Sequence, residues 1–155
     1  MNDQNKALAI RRLLEQERHG VLSTISLKCD GWPFGSVTPY ALSAAGTPLI
    51  LVSGLAEHTR NLVADPRVSL FVQDTSRLSN PQAAARVTLL GRATPVAEEG
   101  IETAATLYLA RFPEAGQMFQ LGDFRLFSVQ PWQARYIGGF GEMFWARPED
   151  LSRPT

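Results

Sequence analysis

The stretch that most limits the fold is residues 49–71, LILVSGLAEHTRNLVADPRVSLF. Residues 49–52 and 68–72 are short apolar runs rich in β-forming side chains, each of strand length. Between them Ser53 and Gly54 break the first run. A polar cluster then opens a short helix that stops at Asp65-Pro66, because the residue ahead of a proline is pushed out of the helical region. Leu55, Leu62 and Val63 are the apolar residues this helix can bury. A strand that turns at once into a helix aims the free amides of the helix start at the strand's end. Ser53, Thr59, Arg60 and Asn61 lie beside those amides, and with the positive end of the helix dipole they suit an anion such as a phosphate. Thr59 and Asn61 can equally serve as helix caps, so both readings stand here.

A chain of 155 residues is most simply one domain, 1–155, with a polar tail over about 147–155. At this size it buries roughly two-thirds of its unfolded surface and needs no staples. Fifteen basic and fifteen acidic residues cancel, and no long run of one sign occurs, so nucleic acid and anionic membranes are not expected partners. The single cysteine, Cys29, excludes an internal disulfide and fits a reducing compartment. The start, MNDQNKALAI, is polar and helical in pattern, and no apolar stretch approaches the ~18 residues of a membrane span. A soluble cytoplasmic protein is the expectation.

Taken in order, Asn2 or Asp3 caps a first helix with Ala7, Ile10, Leu13 and Leu14 on one stripe, and Gly20 ends it. Residues 21–27 read as a strand with Val21, Ile25 and Leu27 on the apolar face. The Asp30-Gly31 turn then joins it in a hairpin to a second strand, 34–42. That second strand carries Ser36 and Thr38 and has Pro39 inside it, which suits an edge, a bulge or a backbone turned to a ligand. After residue 72 comes a polar loop, then a long strand, 84–94, in which Gly91 signals a bulge. Ile101, Ala104, Ala105, Tyr108 and Phe112 recur at helical spacing, Pro113 stops the run, and a short helical piece can occupy 114–121. Three strands close the chain: 124–129, 133–137 and 143–145, divided by Pro131 and by the glycines of 138–141. Short connections between strands favour an antiparallel sheet closed into a barrel with helices outside, not a doubly wound parallel sheet.

No G-x-S-x-G elbow, P-loop or strand-linked G-x-G-x-x-G is present, which removes the common hydrolase, nucleotide-triphosphate and dinucleotide readings. His19 and His58 are the only histidines and lie far apart in sequence, so no metal site is expected. Glu98-Glu99 and Glu149-Asp150 look like a helix start and a solvated tail. What remains is the anion-compatible helix start, the hydroxyl-bearing strand, and aromatics at 124, 127, 132, 136, 140, 144 and 145 that build either core or the wall of a flat ligand. A phosphate clamp beside a planar apolar slot describes a flavin mononucleotide (FMN) site.

The segments PFGSVTPYAL, LILVSGLAEHTRNLVADPRVSLFV, ARVTLLGRAT and DFRLFSVQPWQARYIGGFG together resemble the FMN-binding split-barrel superfamily that includes pyridoxamine 5′-phosphate oxidase, and within it the haem-utilisation branch. The resemblance runs over about residues 5–146. It implies a fold that is mainly β with flanking helices (α+β), a six-stranded antiparallel split barrel, forming a homodimer with cofactor sites at the interface. It implies that Ser36, Val37 and Thr38 line the flavin, that Ser53, His58, Thr59, Arg60 and Asn61 hold the phosphate, and that Arg86, Arg135 and Trp145 add contacts. The basic pairs and the Arg-x-His pattern of the oxidase are missing here, so pyridoxal phosphate synthesis is not expected. The expected function is electron transfer between FMN and a small-molecule substrate or a nicotinamide. The alternatives are a haem-binding or haem-degrading protein, with His19 or His58 as axial ligand, and a flavin-binding module without turnover. The C-terminal segment ARPEDLSRPT lacks the histidine that the haem branch uses.

Overall fold

The computed structural model describes residues 2–77, 79–139 and 141–151. Its strands are β1 His19–Ile25, β2 Pro33–Pro39, β3 Ala41–Leu42, β4 Pro48–Ser53, β5 Arg67–Gln73, β6 Arg86–Pro95, β7 Phe124–Ile137 and β8 Met143–Ala146. The helices are α1 Asp3–Gln16, α2 Glu57–Ala64, α3 Ile101–Arg111, α4 Gly116–Gln120 and α5 Pro148–Leu151. All strand pairings are antiparallel, in the order β2-β1-β5-β6-β7-β4-β3. β7 is the organising strand. It pairs with β6 along its length, while its other edge is taken by β4 at the N-terminal half and by β8 at the C-terminal half. The architecture is the expected α+β type, an open antiparallel barrel with helices outside. Eight strands stand where six were expected, since β3 and β8 are short additions of two and four residues.

Pro39 lies on an edge strand, as expected, since β2 ends the strand order, whereas Pro131 acts differently from expectation. Pro39 does end a strand: the expected strand 34–42 is cut at Tyr40 into β2 and β3. Pro131 does not divide anything. It sits opposite Gly91, and the register shift there leaves Trp132 without a cross-strand partner, so β7 runs on as one bulged strand. The extra residue flips the alternation, which is why Phe127 and Val129 before it, and Ala134 and Tyr136 after it, all reach the barrel interior. A Cβ at Gly91 would strike the Gln130 carbonyl, so the close approach of the two strands depends on glycine.

α1 and α2 cover opposite ends of β1 and β5. α1 buries Ile10, Leu13 and Leu14 in the barrel core and runs into the start of β1. Arg111 ties that junction down by donating to the carbonyls of Leu14, Glu15 and Glu17 at the end of α1. α2 contributes Leu62 to the same core from the other end. β4 lies between two apolar layers, with Ile50 and Val52 in the barrel and Leu49 and Leu51 under α3, which explains its unbroken apolar run. Ala104, Tyr108 and Phe112 form the buried side of α3, whereas Ile101 is exposed. Three further expectations change. Leu55 and Val63 are 73% and 66% exposed, so of the three expected residues only Leu62 is buried, together with Thr59 and Asn61. In β1 the inward residues are Gly20, Leu22 and Thr24, and the Val21 face points out. The tail up to Leu151 is helical, with Leu151 against the core, while the end of the expected polar tail and Phe140 lie outside the described residues.

Candidate functional site

β4 ends at Ser53, whose Oγ accepts from the Leu55 amide and turns the chain into α2. The N-cap of α2 is Ala56, which offers no side-chain acceptor, so neither Thr59 nor Asn61 caps the helix and its first amides are uncapped. Thr59 is 7% exposed and its hydroxyl has no partner. The Arg60 guanidinium is exposed and only loosely paired with Glu57, at 3.9 Å. Thr59, Arg60 and Val63 line a groove of ≈ 410 Å³ together with Leu27, Arg125 and Phe127. Arg125 lies over the Phe127 ring at 5.6 Å. Arg125 is not recognisable as a site residue in sequence and Phe127 is only one of several candidate aromatics there, because it is the β4–β7 pairing that brings both beside α2.

Asn61 turns the other way. It is 1% exposed, its Nδ2 donates to Thr24 Oγ1 at 3.0 Å, and its Oδ1 accepts from the Leu27 amide at 3.0 Å. Its side chain is therefore occupied in fastening α2 to β1. On the far flank of α2 the His58 Nδ1 lies 3.5 Å from Ser36 Oγ of β2. Burial holds the His58 imidazole below its ordinary pKa, so the neutral ring is favoured. Next along β2, Val37 is 73% exposed, whereas Thr38 points inward and donates to the Pro39 carbonyl.

The remaining candidate residues sit elsewhere on the sheet. Cross-strand partners share a face, so the registers define an outward row Val37–Val21–Phe71–Thr88–Arg135–Trp145 across six strands. Arg135 lies over the Trp145 indole at 5.5 Å. Arg86 belongs to the neighbouring outward row with Ile137, and it donates to the carbonyls of Gln82 and Ala84, pinning the loop ahead of β6. Five strand steps of ~4.8 Å separate Val37 from Trp145, roughly 24 Å along a curved sheet. One chain thus brings Ser36 together with His58, and Arg135 together with Trp145, but does not bring the two groups to each other. The row is rich in exposed apolar side chains: Val21, Val37 and Trp145 are joined on the same face by Trp132 and Met143.

An open antiparallel barrel of this topology is a split barrel of the pyridoxine phosphate oxidase type. Within that class the chain belongs to the CREG family, whose profile, described as "CREG, beta-barrel", matches residues 1–151. It is 36% identical over 135 residues to the chloroplastic non-canonical haem oxygenase HOZ of Arabidopsis thaliana, across 87% of this chain and 41% of HOZ. It is 30% identical over 145 residues to the haem oxygenase HutZ of Vibrio cholerae, across 88% of this chain and 78% of HutZ. Among solved structures, the haem-binding protein of Mycobacterium smegmatis superimposes with a TM-score of 0.87 at 30% identity, over 97% of this chain and 60% of that one. The chain spans less than two thirds of the length of HOZ and of the mycobacterial protein. All three of these relatives are named for haem. No helix among the described residues is long and apolar enough to cross a membrane.

Proposed function

We propose that this protein captures haem at the start of α2, as the haem-binding member of a haem-utilisation system. The observation that carries the reading is His58. Its ring is half-buried, favoured in the neutral form that ligates metal, and directed through Nδ1 at Ser36. A hydrogen bond from Nδ1 to Ser36 Oγ would leave Nε2 as the free lone pair. Arg60, the uncapped amides of α2 and the unpartnered Thr59 hydroxyl suit a propionate carboxylate. Bound haem iron would supply the oxygen and electron chemistry; the residues of the chain bind it, orient it and exclude water. Haem breakdown, the activity for which HOZ and HutZ are named, would follow capture.

The site is half of one. The outward row leaves Arg135, Trp145 and the apolar side chains around them uncovered, and a second copy of the chain laying its row across the first would bring these groups to His58. We therefore assign a homodimer with two equivalent sites.

Titration of the purified chain with haemin tests the reading. A saturable Soret band is expected at one haem per chain, with the ligation spectrum lost in His58→Ala and kept in His19→Ala. A spectrum unaltered in His58→Ala refutes His58 as the ligand. The flavin reading keeps one support, because the same amides, Thr59 and Arg60 also suit a phosphate. Flavin absorbance in the protein as isolated, without a Soret response, would decide for FMN.

A further inference from the structure

A second cavity lies at the other end of β1 and β5 from α2. The middle of α1, the Gly46 turn ahead of β4, and α5 meet there over the barrel interior around an open cavity of ≈ 340 Å³. One water needs only ~10–15 Å³ by this measure, so the space admits a small molecule. Its walls are mostly apolar, with Ala7, Ile10, Leu14, Leu89, Pro131 and Leu151 among them.

One cation is built into this wall. Arg11 follows Ile10 on α1, and its Nε–H donates to Glu15 Oε1 at 2.6 Å. On the other arm of the guanidinium, Nη1 is buried and has no acceptor. The Gly46 turn presses on that same nitrogen: a Cβ at Gly46 would come within 2.6 Å of Nη1, and its φ of +87° already demands glycine. The guanidinium is thus held in place by backbone on one side and by Glu15 on the other. Buried donors of a charged group rarely lack a partner, and this one lies beside a cavity large enough to hold the partner.

We propose that this cavity binds a small organic acid, with one carboxylate on Arg11 Nη1 and a compact apolar body against Ile10, Leu14 and Leu89. The local charges set the class. Glu15 already shares Arg11, and Arg147, which lies 3.4 Å from Glu149 on the wall, is also held by Asp150, so the neighbourhood carries no surplus positive charge before the ligand enters. It accepts a single negative charge and disfavours a phosphate dianion. The haem assignment is not needed for this site, which shares no residue with the α2 groove.

The full chain is titrated calorimetrically, and its thermal unfolding followed, with benzoate and hexanoate, with benzamide and hexanamide, and with inorganic phosphate. Both acids are expected to bind and raise Tm, with the amides and phosphate at least about tenfold weaker, equivalent to about 1.4 kcal/mol. Arg11→Gln should abolish the preference for acid over amide. Ala7→Phe, which keeps Arg11 but fills the cavity, should block both. Arg60→Ala, at the far end of the barrel, should leave acid binding unchanged. No binding of either acid, equal binding of acids and amides, binding that survives both cavity variants, or loss of binding in Arg60→Ala would each overturn the proposal.

Discussion

Replacing Asn61 with alanine separates two roles that look alike in sequence, a contact to ligand and a strut inside the fold. The carboxamide is buried and meets β1 twice, donating to Thr24 Oγ1 and accepting from the Leu27 amide. In Asn61→Ala the part-buried Leu27 N–H loses its acceptor, which costs about 1–2 kcal/mol. Thr24 loses less, because its hydroxyl still reaches the Phe34 carbonyl at 3.4 Å. The space left by the amide adds roughly 1 kcal/mol. The sum is about 2–4 kcal/mol, a large part of the ~5–15 kcal/mol that holds such a domain. For a chain of this size it lowers Tm by roughly 10 °C. Urea unfolding with an unchanged m-value gives the free energy, and calorimetry gives Tm. The double variant Thr24→Val, Asn61→Leu should cost less than the sum of its singles, since it removes both polar partners together and leaves only Leu27 unmet. A loss below about 1 kcal/mol in Asn61→Ala, or weakened ligand binding at full stability, would refute the strut and return Asn61 to the site.

Burial keeps the folded-state pKa of His58 below the ordinary 6.5, so the stability linked to its neutral form is complete above pH 6.5 and is lost as pH falls through the folded value. Wild type should therefore weaken relative to His58→Gln on acidification below 6.5 in pH-dependent melts, and haemin affinity should fall over the same window. Gly91→Ala drives a Cβ into the backbone of Gln130 beside the β7 bulge, and should cost about 1–3 kcal/mol by denaturant unfolding; a neutral result would mean the strands part freely there. Val37→Asp lies on open surface within one chain and should shift stability by less than about 0.5 kcal/mol, yet it should dissociate the proposed dimer in sedimentation runs. An unchanged sedimentation profile would show that this face does not join two copies.

Local signals survived folding where one element settled its own environment. The apolar run of β4 is buried on both faces, Pro113 stops the chain after α3, and Asp30-Gly31 makes the β1–β2 turn with both residues at positive φ. Signals failed where a distant partner decides. Pro131 looks like a strand break until Gly91 is seen across from it, making room for a bulge. Asn61 looks like a cap or a phosphate ligand until Thr24, thirty-seven residues earlier, is found at its amide. The start of α2 was legible because its composition is local, but Arg125 and Phe127 reach it only through the sheet. Arg86, Arg135 and Trp145 were separable from it only by register, which no single segment encodes.

The reversed face of β1 has the largest consequence. Alternation alone sends Val21, Ile25 and Leu27 inward, since that set is the more apolar. Two long-range facts override it. A Cβ at Gly20 would come within 2.8 Å of the Phe71 carbonyl, so position 20 must face the packed side, and Thr24 must face Asn61 to satisfy the buried amide. Positions 20, 22 and 24 share a face, so Leu22 goes in and Val21 goes out. The strand thus keeps its greasier side in solvent within one chain, continuous with Val37 on one flank and with Phe71 and Trp145 on the other. Water opposes such an arrangement by about 25 cal/mol for each Å² of apolar surface left uncovered. A chain whose interior demands this parity would gain by covering that face, and in the proposed homodimer it is a second copy of the chain that covers it.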